Sequence, residues 1–174
     1  MNSVMNKIWG IVEKKIYVII KKIYEFSGRS LTIETFEAVM QFIKFGVVGL
    51  SNTIVSYLIY VVGLIFLRSI GILEECEFLV AQLGAFVISV LWSFYWNNKL
   101  VFKLQDGEKR SNLKTLIKTY ISYSFTGLFL NSVLLILWVR VLHISEFIAP
   151  IINLLVSVPT NFVINKFWTF RKKV

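Results

Sequence analysis

Four long runs of the chain are apolar and carry no charge: Phe45–Leu67, Phe78–Trp96, Tyr120–Val139 and Phe147–Ile164. None alternates apolar with polar residues, and each is about twice the length of a membrane-barrel strand of ~10 residues. A helix rises about 1.5 Å per residue, so ~20 residues cross a hydrocarbon core of ~30 Å. Each run therefore predicts one transmembrane helix. Inside lipid the backbone must satisfy its own hydrogen bonds, and a helix does so within a single segment.

Ahead of the first run the pattern changes. In residues 4–26, Ile8, Val12, Ile16, Ile19, Ile20 and Ile23 recur at helical spacing, while Lys7, Lys14 and Lys21 fall on another face. This predicts an amphipathic helix lying in the membrane interface, its lysines on anionic lipid headgroups. Packing on a partner protein is the alternative. Ser27–Gly28–Arg29–Ser30 breaks that helix, and Thr32, with Glu34 and Thr35, starts the next one. Lysines interrupt every apolar run before Phe42, so the first 36 residues are not expected to be a cleaved signal peptide. The expected fold is an all-α membrane protein in two parts. Residues 1–36 form an N-terminal extension, and residues 37–174 form a four-helix transmembrane domain.

That domain repeats itself. SFYWNNKLVFK (93–103) closes the second run and NFVINKFWTFR (161–171) closes the fourth. At an offset of 68 they pair Phe94 with Phe162, Asn97 with Asn165, Phe102 with Phe170 and Lys103 with Arg171. FIKFGVVG (42–49) pairs with YISYSFTG (120–127) at an offset of 78, aligning Gly49 with Gly127. Two helical hairpins in the same orientation are expected, related by an axis along the membrane normal.

Composition agrees with lipid as the solvent. Hydrophobic residues make up 56% and charged residues 17% of the chain, against roughly 25% charged in soluble domains. The net charge of +9 then points to an anionic membrane surface, not to nucleic acid. Seventeen of the nineteen cations fall up to and including Lys44, from Lys99 to Lys118, or from Lys166 onward. By the positive-inside rule those segments, and both termini, are cytoplasmic. A multi-pass protein of the cytoplasmic membrane is expected. Glu74, Glu75, Glu77 and Glu146 lie in the short opposite loops. One cysteine, Cys76, and one histidine, His143, leave no disulfide and no Cys-built or His-clustered metal site. No cofactor is expected. No Ser–His–Asp set, carboxylate pair or Gly-rich phosphate loop is present, so no soluble-type active site and no enzyme activity are expected.

The candidate chemistry sits at the two exits. Asn97, Asn98 and Lys99 form one polar group, and Asn161, Asn165 and Lys166 the other. Amide donors with a compact cation suit a phosphate oxygen at headgroup depth. Aromatic-belt and positive-inside grammar accounts for Trp92, Tyr95, Trp96, Trp168 and the lysines, but not for Asn at matched positions. Deeper in the spans, Asn52, Gln82, Asn131 and Asn153 should face the interior as a polar seam, or simply bond helix to helix. Pro159 frees the carbonyl of Leu155 within the fourth run and is expected to kink it. No Asp or Glu lies inside any run, so a small multidrug transporter, which needs an embedded Glu, is disfavoured.

QFIKFGVVGLSNT (41–53), NNKLVF (97–102) and NKFWTF (165–170) resemble the GtrA family of small four-helix membrane proteins, over about residues 38–173. By position Asn97, Lys99, Val101 and Phe102, with Asn165, Lys166, Trp168 and Phe170, match its motif. Leu100 departs from it, standing where an aromatic is common, and so does the extended N-terminus. The resemblance implies flipping of a polyprenyl-phosphate-linked sugar (undecaprenyl phosphate in bacteria) for O-antigen, teichoic acid or another cell-envelope polymer. It also implies a partner membrane glycosyltransferase, which this domain anchors or stabilises in some relatives. Four short helices enclose little volume, so assembly into homo-oligomers is also expected.

Overall fold

The computed structural model describes residues 2–71, 77–104, 107–145 and 148–171. Glu74, Glu75, Cys76, Glu146, Phe147, Lys172 and Lys173 lie outside the described residues. The regular elements are α1 (Asn2–Phe26), α2 (Ile33–Ile70), α3 (Glu77–Trp96), α4 (Asn112–Ser124), α5 (Asn131–Ile136) and α6 (Ala149–Ile164). Four π-helical segments extend or join them. Asn97–Val101 continues α3, Phe125–Leu130 joins α4 to α5, Leu137–Val141 continues α5, and Asn165–Thr169 continues α6. Three helical stretches are long and apolar enough to cross a membrane: Ile33–Ile70, Val80–Val101 and Asn112–Val141. The fourth expected span corresponds to α6, a helix of 16 residues that runs unbroken through Pro159.

The chain divides into two compact units, Met1–Lys44 and Phe45–Val174. In the first, α1 ends where expected and for a local reason. Gly28 takes φ of 70°, its N–H reaches Glu25 O at 3.1 Å, and Arg29 N–H reaches Tyr24 O at 3.0 Å. This pair of bonds is the Schellman closure that glycine permits without a Cβ penalty. Thr32 caps α2: its Oγ1 accepts from Thr35 N–H at 3.2 Å. Within this unit Tyr17 meets Phe36 edge to face at 5.1 Å, and Lys44 Nζ donates to Glu13 Oε1 at 2.6 Å.

The second unit is inside out. Its large apolar side chains, such as Leu50, Val62, Leu83 and Leu155, point outward, the last 73% exposed. Its most deeply buried groups include Ser93, Asn97, Thr119 and Asn165. A water-soluble protein does not expose apolar surface on that scale, whereas lipid favours apolar groups outside and hydrogen-bonded polar groups within. Small residues let the helices approach: a Cβ on Gly63 would meet Ala81 Cβ at 3.6 Å. This is a multi-pass membrane protein.

Candidate functional site

The repeat that is visible in the sequence encloses a cavity of about 580 Å³. Its walls come in repeat-matched pairs. Phe45, Gly49 and Thr53 of α2 line it together with Tyr123, Gly127 and Asn131, each 78 residues on. Phe86, Ser89 and Val90 of α3 line it together with Leu154, Ser157 and Val158, each 68 residues on. Both halves of the repeat therefore face one shared space. Its size falls within the ~300–1,000 Å³ usual for small-molecule sites.

Two of the four seam residues reach this cavity. Asn52 and Asn131 are among its lining residues, and the Oδ1 of each is buried without a hydrogen-bond partner. Such acceptors suit hydroxyl donors of a ligand. Asn153 is buried elsewhere and is spent on structure. Its Oδ1 accepts from Trp138 Nε1 at 2.8 Å, and its Nδ2 donates to Asn131 O at 3.0 Å. Substituting Asn153→Leu is expected to lower stability by about 1 kcal/mol, two interhelical bonds at ~0.6 kcal/mol each. Thermal unfolding in detergent reads that loss. Gln82, expected to face the interior, is instead exposed on α3, because the face that α3 buries carries Ala81, Ala85 and Ser89. Ser89, Thr126, Ser157 and Asn161 line the cavity in addition.

At the exits the two asparagines are fully buried. Asn97 Nδ2 donates to Ser93 Oγ at 3.0 Å and to Tyr123 Oη at 3.2 Å. Asn165 Nδ2 donates to Asn161 O and Asn161 Oδ1, both at 2.8 Å. Neither amide has a donor left for a phosphate oxygen. Their partners Tyr123 and Asn161 line the cavity, so both asparagines stand one layer behind its wall as positioning residues. The expectation that Asn97 and Asn165, with Lys99 and Lys166, capture phosphate therefore meets two amides whose donors are already taken. The Oδ1 of each asparagine is buried without a hydrogen-bond partner, an acceptor whose unmade bond carries a cost. The cations are also engaged. Lys99 Nζ lies 5.2 Å from the Tyr95 ring and 5.5 Å from the Trp96 ring, and Lys166 Nζ lies 5.6 Å from the Phe162 ring. Trp168 O accepts from Lys118 Nζ at 3.1 Å.

Both exits turn π-helical at the same motif position. Phe102 N–H reaches Asn97 O, and Phe170 N–H reaches Asn165 O, each at 2.8 Å. The wider turn brings the matched phenylalanines together, with ring centroids 4.6 Å apart and planes at 16°. Val101, Phe45 and Val48 complete this core. Such π segments often mark functional positions.

One residue at this end had no signal in the sequence. Arg110 donates to Phe102 O at 2.9 Å, to Phe170 O at 3.0 Å and to Asn98 Oδ1, and stacks over the Phe170 ring at 5.0 Å. It thus ties the two exit segments together. Burial pulls its guanidinium below its ordinary pKa, and Glu108 opposes that shift. A stripe of buried hydroxyls also went unread. Thr115, Thr119, Ser122 and Thr126 follow helical spacing along α4 and its extension. Thr119, Thr126 and Thr115 each donate to a carbonyl four residues back.

The family described as GtrA/DPMS, transmembrane domain, matches residues 44–170. This chain belongs to that family. The matched segment takes in both exits and every cavity-lining residue, so the GtrA-type unit is the site just described, while α1 lies ahead of it. No match was found among curated proteins or among solved structures.

Proposed function

We propose that this GtrA-family protein moves a polyprenyl-phosphate-linked monosaccharide across the cytoplasmic membrane, without catalysis, as part of cell-envelope polymer glycosylation. The cavity carries this reading. Its volume of about 580 Å³ accommodates a sugar, and the unpaired acceptors of Asn52 and Asn131 suit sugar hydroxyls. The polyprenyl tail stays in lipid, so only the headgroup needs a polar path. No Asp or Glu lies within the apolar runs, and a gradient of the lipid itself drives net flow. In this reading α6 is the fourth span, the two hairpins run parallel, and the basic segments and both termini are cytoplasmic. The amphipathic α1 rests on anionic lipid at the inner face. A membrane glycosyltransferase loads the lipid inside, and a second enzyme uses the sugar outside.

Reconstitution tests this. Liposomes holding the purified protein and a polyprenyl-phosphate sugar should expose internal sugar to membrane-impermeant periodate faster than empty liposomes do. Equal rates would sink the transport reading. A second reading, a membrane anchor or stabilising subunit for a glycosyltransferase, is favoured by the exposed Ile11, Val18, Ile19 and Ile23 on α1. It gains if translocation is not accelerated while the protein raises the transferase's stability in the same membrane.

A further inference from the structure

A second cavity, of about 350 Å³, lies where α4 begins. Five cations line it: Lys109, Arg110, Lys114, Lys118 and Arg171. They come from the segment between the hairpins, from α4 and from the residue after the second exit, so the fold gathers charges that are far apart in sequence. Like charges gathered around one space raise its positive potential and draw an anion into it. Glu108, which acts on Arg110, is not among the lining residues.

The remaining walls are small and polar. Thr115 and Thr169 are buried there, and Ser111, which caps α4 by accepting from Lys114 N–H, stands at its rim. The N-terminal amides of α4, a helix of 13 residues, add positive potential. Below the pocket, Thr169 Oγ1 and Ser122 Oγ share a hydrogen bond of 3.1 Å. Thr126 Oγ1 donates to Ser122 O at 2.9 Å, and Thr126 lines the larger cavity. The basic pocket and the sugar-sized cavity therefore share one line of buried hydroxyls.

We propose that this pocket binds phosphate, and that the Lys109–Lys114–Lys118–Arg171 cluster, not the Asn–Lys exits, is where the protein takes hold of a phosphate-bearing headgroup. The lipid source rests on the proposed function; the phosphate chemistry does not. Lysine ammoniums and an arginine fork supply the charge-assisted donors that phosphate oxygens take. The neutral Asn52 and Asn131 would meet the sugar, so the two recognition tasks are divided between two cavities.

The test uses the full chain in nanodiscs of neutral phosphatidylcholine, with bound ligand counted by native mass spectrometry. One arm titrates polyprenyl monophosphate in the nanodisc, and a second titrates inorganic phosphate. The triple variant Lys109→Gln, Lys114→Gln, Arg171→Gln should weaken binding about tenfold or more, a change of ~1.4 kcal/mol. All three side chains are exposed, so the fold should survive. The same positions changed to Lys109→Arg, Lys114→Arg and Arg171→Lys should retain binding. Removing two exposed cations that lie neither at the pocket nor on α1 (Arg68→Gln, Arg140→Gln) should leave binding unchanged. Wild-type affinity in the triple Gln variant, or an equal loss in this control variant, overturns the pocket. Binding of inorganic phosphate as tight as that of the lipid supports the pocket with free phosphate as its ligand. Binding is read independently of transport. Loss in the triple variant without any translocation by the wild type keeps the pocket and removes the transport reading. Translocation with unchanged binding does the reverse.

Discussion

A phenylalanine at Gly49, or at its repeat mate Gly127, is expected to stop the proposed headgroup translocation while the protein still folds. Both glycines line the larger cavity, and a Cβ built on either meets no atom within 4 Å. The ring would enter empty space, so the usual overpacking cost of about 1–3 kcal/mol should not arise. An Ala control removes the glycine without filling the space. In a helix that exchange is favourable by up to about 1 kcal/mol, and Gly49→Ala and Gly127→Ala should transport normally. The periodate assay reads transport, and thermal unfolding in detergent reads the fold. Filled variants are expected to lose about tenfold or more of the wild-type rate, equivalent to ~1.4 kcal/mol on the barrier. Wild-type rates in both would remove the cavity from the path. Because the two glycines lie on different hairpins, equal effects at both would also establish that the hairpins serve one shared space.

The largest loss of stability is expected from Phe170→Ala. Phe170 is 2% exposed. It stacks on Phe102 at 4.6 Å, on Phe94 at 6.2 Å and beneath Arg110 at 5.0 Å. Truncating a buried Phe costs about 3–5 kcal/mol, and lost ring stacking adds ~0.5–1.5 kcal/mol. Arg110→Ala should be milder by direct contact but leaves two buried carbonyls without donors, about 1–3 kcal/mol. The two should not add, because Arg110 both covers the Phe170 ring and binds the Phe170 carbonyl, and touching residues couple by about 0.5–3 kcal/mol. A double-mutant cycle on unfolding measures this. A loss below about 1 kcal/mol for Phe170→Ala, the size of an ordinary substitution, would mean that the ring stack does not hold the hairpin ends together.

Much of this was legible in residue spacing, and the reasons are physical. Three of the four expected spans, legible by length and lack of charge, reappear as helices long and apolar enough to cross a membrane. The exits were legible by the recurrence of Asn with Phe five residues later, which is the span of one π-helical bond. Asn52 and Asn131 reached the cavity because an amide in lipid must turn inward. Gln82 followed the same logic and did not, since its side chain lies beside a narrow face of Ala and Ser that already fills the helix contact. The amides of Asn97 and Asn165 were readable as important, but not that their donors are taken: Ser93 and Asn161 accept from one helical turn away, and Tyr123 reaches Asn97 only through the fold. Arg110 was unreadable for a simpler reason. Among the cations between Lys99 and Lys118, nothing local distinguishes the one that folds back onto two carbonyl ends. The basic pocket shares that difficulty, since Arg171 joins Lys109 only through the fold.

The stacked rings also decide how a ligand can travel. Phe45, Phe102 and Phe170, with Phe162 beside them, fill the axis where the hairpins end, and Phe45 also forms part of the cavity wall. In the proposed transport, a headgroup would have to pass beside this packed ring cluster and not through it, a route that suits a molecule whose lipid tail stays in the bilayer.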